Sequence, residues 1–222
     1  MPACIGVLSA FLGKITQFIQ HPFSRTSSGT VQNKNFLTAL SNARIDGSIV
    51  AKGGLKYTVD ALPWNLRCKP QPLAIVYAKS AQDVSLAVTV AASFGIPVQP
   101  RSGGHSFGSY SLGGTDGALV VDLAALNSVE VNQTTWQATI GGGTRLQDVT
   151  NKLHDQGKRA IAHGTCPQVG IGGHATIGGQ GPLSRMWGLC LDHVIEVEVV
   201  IANGSIIRAN KDQNADLFWV SA

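Results

Sequence analysis

The grouping of glycine constrains this chain more than any other feature of its sequence. Glycine occurs 26 times in 222 residues, above its usual share of about 7%. Most of these glycines fall in three clusters, at 103–117, 141–143 and 164–188. Consecutive glycines let successive backbone N–H groups converge on one point, which suits phosphate oxygens. Simple turns explain any one Gly-Gly pair, but three clusters together favour loops that meet around a pyrophosphate.

Composition limits the classes of protein to which the chain can belong. It is 44% hydrophobic and 14% charged, which is enough for a sizeable core and argues against disorder. The net charge of +4 comes from scattered lysines and arginines, so we expect no nucleic-acid partner. Residues 1–20 lack a basic start and are too short for a membrane span, so we expect no membrane partner and no secretion signal, and the cellular location stays open.

Short strands and helices with local start and stop signals predict an α+β fold. The apolar run 72–78 is typical of a strand, and Ser80 with Asp83 forms a capping box for a helix ending near Gly95. A strand is expected at 118–123, and adjacent strands at 129–132 and 135–141. Residues 1–35 are predicted to be an irregular leader.

The second half of the chain adds a helix and a hairpin to this prediction. Thr144 and Gln147 form a second capping box, which predicts a helix over 144–158. Two β-branched runs joined by Asn203-Gly204 predict the clearest hairpin of the chain.

Two side chains in the glycine-rich loops are candidates for chemistry. His105 follows Gly103-Gly104, and Cys166 lies between Gly164 and Pro167, outside any periodic apolar face. Cys4, Cys68 and Cys190 are instead interpreted as inert thiols, and no Cys-x-x-Cys pair occurs. A zinc site built from His105, His163, Cys166 and His174 is an alternative with short spacing and no acidic ligand.

The stretches "RSGGHSFGSYSLGG" and "HGTCPQVGIGGHATIGGQGPLSRMWGLCLDHV" resemble the FAD-binding half of vanillyl-alcohol-oxidase-type flavoproteins. The similarity extends over 36–219 and points to the berberine-bridge-enzyme-like and glucooligosaccharide-oxidase-like branch. It implies a PCMH-type FAD-binding domain of two small α/β subdomains over 36–222.

The resemblance also implies how FAD would be held. His105 would bond the 8α-methyl carbon and Cys166 carbon 6 of the isoalloxazine ring, which makes the cofactor bicovalent. The pyrophosphate would lie against the backbone around Ser102, Gly103, Gly104 and Ser106, with Arg101 as a candidate counter-charge. Further positions implied along the cofactor are Thr165, Val169, Gly170, Gly172, Gly173, Gly178, Gly179 and, beside the adenosine, Val200.

The implied reaction is hydride transfer from an alcohol or sugar hemiacetal to FAD, followed by reoxidation by dioxygen to hydrogen peroxide. Proteins of this kind are often secreted and continue well beyond the point that matches Ala222, with a substrate domain and a tyrosine base. We therefore expect a truncated chain without the substrate domain and the catalytic base. Two alternatives stay open: an inactive flavin-binding fragment and a metal-binding protein.

Overall fold

The computed structural model describes residues 4–9 and 28–221, with side chains from residue 31 onward. It has mixed α+β architecture, as predicted, with two sheets and seven α-helices in these ranges. The strands are β1 Cys4–Ser9, β2 Ser48–Ala51, β3 Ala74–Tyr77, β4 Val98–Arg101, β5 Leu119–Asp122, β6 Val129–Asn132, β7 Gln137–Ile140, β8 Glu196–Val200 and β9 Ile206–Asn210. The α-helices are α1 Ser28–Asn42, α2 Tyr57–Asp60, α3 Ala81–Ser93, α4 Leu146–Gly157, α5 Ile171–Ala175, α6 Ser184–Trp187 and α7 Ala215–Ser221.

The first sheet has four strands in the order β2-β3-β5-β4. Strands β3 and β4 both run parallel to β5, and β2 is antiparallel to β3. All four residues of β5 are buried, as expected for the central strand of a parallel arrangement covered on both faces. Helices α1 and α3 pack against this sheet through Phe36, Leu40 and Val84, among others. The carboxyl ends of β4 and β5 therefore carry Arg101 and Asp122 to one edge.

The second sheet has five strands in the order β6-β7-β1-β8-β9. Its central strand β1 runs parallel to both β7 and β8. Helix α4 covers the sheet with Leu146, Val149 and Leu153, which form one core with Ile140 and Val197. The packing follows from helical spacing, since these three residues share one face.

The segment 1–35 differs from the irregular leader that we predict. Residues 4–9 form a strand between two others, and α1 begins at Ser28. This strand forms hydrogen bonds with β7 and β8, whose residues lie more than 100 positions away along the chain. Local sequence does not reveal such a pairing. The rest of the segment lies outside the described residues. Where the FAD-binding domain begins stays a prediction.

Helix α3 begins as its sequence predicts. The Ser80 side chain accepts a hydrogen bond from the backbone N–H of Asp83 at 3.1 Å. Asp83 does not return the bond to Ser80; it accepts instead from Asp46, Gly47 and Lys79, at 3.0, 3.1 and 2.8 Å. A buried carboxylate with three backbone donors ties the start of the helix to the 46–47 turn.

Helix α4 begins two residues later than predicted. Its N-cap is Arg145, with no capping hydrogen bond from a side chain. The hydroxyl of Thr144 is buried and donates to the carbonyl oxygen of Gly141 at 2.8 Å. The capping box of Thr144 and Gln147 is therefore wrong, because the threonine stabilises the preceding glycine-rich loop instead of the helix.

The hairpin β8–β9 forms around Asn203-Gly204, as predicted, and it joins the two sheets. Its antiparallel register runs from Glu196 opposite Asn210 to Val200 opposite Ile206. The Ser85 hydroxyl of α3 donates to the carbonyl oxygen of Gly204. Val200 belongs to the core of the four-stranded sheet, so the hairpin contributes to both cores. Of the helices described, none has the length and apolar character to span a bilayer.

Candidate functional site

The three glycine-rich loops meet in the structure. The Ser102 hydroxyl of the first loop donates to the carbonyl oxygen of Gly142 in the second. The Gly172 N–H of the third loop donates to the same carbonyl at 3.2 Å. The first and third loops touch so closely that a Cβ on Gly170 would overlap the backbone nitrogen of Gly103. Glycine is therefore required where these loops cross, and the convergence expected from the sequence is present.

A cavity of about 370 Å³ opens beside this crossing. The backbone of Ser102, Gly103 and Gly104 lines one side of it, and Arg101 and Arg145 contribute positive charge. Its other lining residues are Asp60, Leu62, Pro63, Trp64, Tyr77, Ser111, Asp122 and Ala124. A glycine-rich backbone beside the guanidinium of Arg145 suits the pyrophosphate of a dinucleotide, whereas the charge of Arg101 is balanced by Asp122.

Arg101 is held in place by its neighbours. Its guanidinium forms an ion pair with Asp122, and both side chains are largely buried. It also donates to the Asp60 carbonyl oxygen at 2.7 Å and lies 3.4 Å from the Tyr77 hydroxyl. Burial is the main reason that the pKa of Tyr77 rises to about 12, so this phenol stays neutral. Arg101 thus fixes the strand end that leads into the loop; its role as a phosphate counter-charge stays a prediction.

Arg145 is a site residue that the sequence analysis did not single out. It lines the cavity, and its Nη1 donates to the carbonyl oxygen of Gln168 at 2.8 Å. A Cβ on Gly103 would lie 2.7 Å from the same Nη1, so the guanidinium lies against the first loop. Its position directly after the cluster at 141–143 is the signal that could have identified it. Arg145 brings a positive charge to the point where all three loops meet.

His105 stacks on an aromatic ring. Its centroid lies 4.0 Å from that of Trp64, and the two planes are 23° apart. Burial first, and the positive charge of Arg145 second, lower the pKa of His105 below its ordinary value. The imidazole is therefore neutral at pH 7, the form in which a ring nitrogen has a free lone pair.

Cys166 is an exposed free thiol in the third loop. The loop is tied to α4, because the Gln147 N–H donates to the carbonyl oxygen of Pro167 at 3.2 Å. Cys190 is buried, and burial raises its pKa to about 12, which agrees with its interpretation as an inert thiol. Cys166 is thus the accessible thiol of this loop, two residues before the Gln168 carbonyl that Arg145 binds.

The other two histidines of the zinc alternative are engaged in hydrogen bonds. His163 contacts the Gly164 carbonyl oxygen at 2.7 Å through Nδ1 and the Thr150 hydroxyl at 2.9 Å through Nε2. His174 accepts from the Gly164 N–H through Nε2 at 2.9 Å. Among the side chains that the structure describes, from residue 31 to residue 221, no three of His, Cys, Asp or Glu are grouped as a metal site. These histidines act here by holding loop geometry.

The remaining predicted positions are distributed around the loops, and their contact with FAD stays a prediction. The Ser106 hydroxyl accepts from the Tyr110 N–H at 3.2 Å. Thr165 and Gly173 are exposed, whereas Val169 packs on the core of the five-stranded sheet. The carbonyl oxygens of Gly178 and Gly179 accept from the backbone of Leu191 and Cys190, at 2.9 and 3.0 Å. The Val200 side chain is buried, so only its backbone can approach a ligand.

Comparison with known proteins decides the family. Residues 72–210 match the model of the FAD binding domain family. The chain belongs to the FAD-binding domain family. This match includes all three glycine-rich loops and the hairpin, so the resemblance found in the sequence is confirmed.

Curated relatives of this FAD-binding domain are oxidases. The xylooligosaccharide oxidase of Thermothelomyces thermophilus is 41% identical over 81% of this chain and 36% of that protein. The glucooligosaccharide oxidase of Sarocladium strictum is 39% identical over 85% of this chain and 38% of that protein. The chain thus spans little more than a third of the length of these relatives. FAD-dependent oxidoreductases make up its family.

Solved structures share the fold of this FAD-binding domain. A xylooligosaccharide oxidase from Myceliophthora thermophila in complex with xylobiose superposes with a TM-score of 0.80, at 40% identity, over 83% of this chain and 38% of that one. The glucooligosaccharide oxidase from Acremonium strictum, whose FAD is described as 6-S-cysteinyl, 8α-N1-histidyl, gives 0.79 at 38% identity, with the same coverage. The prediction of a PCMH-type fold is confirmed.

Proposed function

We propose that this domain holds FAD through two covalent bonds, from His105 and Cys166, and serves an oxidoreductase that oxidises an alcohol or sugar hemiacetal. The observation that carries the proposal is the crossing of the three glycine-rich loops, with His105 three residues after Ser102. Backbone donors at the crossing bind the pyrophosphate, and the two reactive side chains extend from the loops that cross. Bound FAD supplies the acceptor for a hydride and returns the electrons to dioxygen.

Each covalent bond is a two-electron oxidation that balances with dioxygen. At His105, the ring N–H and one C–H of the 8α-methyl group are replaced by an N–C bond, and dioxygen takes up the two hydrogens as hydrogen peroxide. At Cys166, the thiol S–H and the C–H at carbon 6 are replaced by an S–C bond in the same way. The neutral imidazole has the lone pair that the first bond needs, and the exposure of Cys166 makes its sulfur accessible for the second.

The residues of the chain bind and orient the cofactor. Gly103 and Gly104 line a cavity that Arg145 also lines, and glycine N–H groups beside a guanidinium favour the charged pyrophosphate. Because Arg145 acts on His105, its positive charge would also favour negative charge on a flavin ring bonded to this histidine.

Oligosaccharides are the substrate class that we favour. The relatives named after xylooligosaccharides and glucooligosaccharides support it at 41% and 39% identity. In a protein that joins this domain to a substrate domain, hydrogen peroxide released from a panel of oligosaccharides and simple alcohols, with the reduced sugar analogue as control, separates a sugar oxidase from an alcohol oxidase. No release would indicate a silent flavin-binding domain.

Covalent flavin is tested most directly by acid precipitation. We expect the chain expressed with FAD to give a yellow pellet. The molecular mass of the protein in it should exceed that of the polypeptide by the mass of one FAD minus the hydrogens lost in bond formation. His105→Ala and Cys166→Ser should each retain one bond, and the double variant none. Cys68→Ser, which removes another exposed thiol, is the matched control and should remain yellow. Covalent flavin retained in the double variant would refute the assignment, and a colourless chain with one equivalent of zinc would support the metal alternative.

A further inference from the structure

The aromatic ring beside His105 belongs to Trp64, which has no role in the attachment proposed above. We propose that Trp64 is a positioning residue for flavin attachment, which holds the imidazole of His105 in one orientation while its ring nitrogen bonds the 8α-carbon. This inference rests on the covalent attachment proposed above. Trp64 also lines the cavity at the loop crossing, so one indole contacts both His105 and this cavity.

The geometry of the stack suits this role. With centroids 4.0 Å apart and planes 23° from parallel, the indole covers one face of the imidazole. The two ring nitrogens lie in the ring plane and point outward from its edge, so the stack restricts rotation without blocking either nitrogen. His163 and His174 are oriented by hydrogen bonds to their nitrogens, which removes those atoms from reaction. Stacking orients His105 by another means.

The segment that carries Trp64 is fixed to the loop that carries His105. Three hydrogen bonds connect 60–68 with 101–109 on both sides of the stack. They join Arg101 to the Asp60 carbonyl, Asn65 to the Phe107 carbonyl and Ser109 to the Cys68 carbonyl, at 2.7, 2.8 and 2.7 Å. Because both rings are attached to one connected unit, the indole keeps its place relative to the imidazole.

The fold itself gains little from this indole. Trp64 remains 53% exposed, whereas Phe36 and Leu40 in the adjacent core are fully buried. By covering His105 the indole contributes to the burial that, with Arg145, lowers the pKa of the imidazole. Replacement of Trp64 should therefore affect His105 more than folding.

The test separates the two bonds. The Cys166→Ser chain reports attachment at His105 alone, and the His105→Ala chain reports attachment at Cys166 alone. Trp64→Ala and Trp64→Phe are placed in each, the apo chain is incubated with FAD in air, and acid-stable flavin is measured over time. We expect Trp64→Ala to slow attachment about tenfold or more in the Cys166→Ser chain, because small errors in placement are costly for bond formation. In the His105→Ala chain the change should be less than about twofold, and Trp64→Phe, which can still stack, should stay close to tryptophan.

All variants are made in the full 222-residue chain. Trp219→Ala removes another tryptophan, 80% exposed on α7, and should change neither rate. In the apo chain, Trp64→Ala should remove the ring-current shift of the His105 Cε1–H signal in the NMR spectrum. The role of Trp64 would be overturned if Trp64→Ala slowed flavin attachment equally in both chains or in neither. It would also be overturned if Trp64→Phe slowed attachment as much as Trp64→Ala. Absence of covalent flavin in the unsubstituted chain would instead refute the proposed attachment.

Discussion

Gly170 and Gly103 show how single residues decide the site. Their backbones touch where the first and third loops cross, and neither position has space for a Cβ. The Ser102 hydroxyl lies at the same point, where a Cβ on Gly170 would overlap its oxygen. A methyl group at this point therefore tests the crossing itself.

We expect Gly170→Ala to lower the free energy of unfolding by about 1–3 kcal/mol, the cost of overpacking. Bound flavin should fall with it, since the loops move apart. Gly173→Ala is the matched control for stability: its Cβ meets nothing within 4 Å, and it lies in helix α5. There the free energy should stay equal or rise by up to about 1 kcal/mol. Urea unfolding measures the free energy of unfolding of both variants. Equal changes in Gly170→Ala and Gly173→Ala would contradict the importance of the crossing.

The histidines make the same point about environment. His105, His163 and His174 are alike in the sequence, each close to glycine. Hydrogen bonds with Thr150 and Gly164 engage two of them, whereas Trp64 stacks on the third. Their different roles follow from neighbours that are distant along the chain.

At the scale of elements, α3 and α4 differ in how much their own sequence decides. Ser80 caps α3 as the local pattern predicts, because the N–H it accepts from is only three residues away. Thr144 has the same pattern, but its hydroxyl donates to the carbonyl oxygen of Gly141 in the loop before α4. A capping box is thus informative only where no other backbone group competes for the side chain.

Ser80→Ala should lower the free energy of unfolding by about 1 kcal/mol, because it removes the N-cap of α3. Ser93→Ala, in the last turn of the same helix, is the control: its exposed hydroxyl bonds only the Val90 carbonyl, at 2.8 Å. We expect a change within about 0.5 kcal/mol there. Thermal or urea denaturation followed by circular dichroism distinguishes the two, and the capping role fails if their effects are the same.

At the scale of the whole molecule, the β8–β9 hairpin connects the two sheets. Val199 packs in the core of the five-stranded sheet, and its neighbour Val200 packs in the core of the four-stranded one. The turn of the hairpin also bonds α3 through Ser85. We infer that the two sheets unfold as one cooperative unit, because one strand contributes to both cores.

Val200→Ala should therefore lower the free energy of unfolding by about 1–3 kcal/mol, from lost apolar burial and the cavity left behind. Tryptophan fluorescence and far-UV circular dichroism should shift together, in one transition. Val31→Ala, at a position 59% exposed on α1, should be neutral within about 0.5 kcal/mol. Two separate transitions in the variant or the parent chain would contradict the shared core.

Local sequence is enough to predict the α+β class, helix α3, the Asn203-Gly204 hairpin, the glycine-rich loops and the candidates His105 and Cys166. These depend on local signals: periodicity, caps, turn residues and short motifs. The folded chain was needed to find that the loops cross at Gly170, that Trp64 stacks on His105, and that residues 4–9 form the central strand of a sheet. The physical reason is that each of these contacts joins residues far apart along the chain, whose pairing depends on packing and hydrogen bonds that no local pattern encodes.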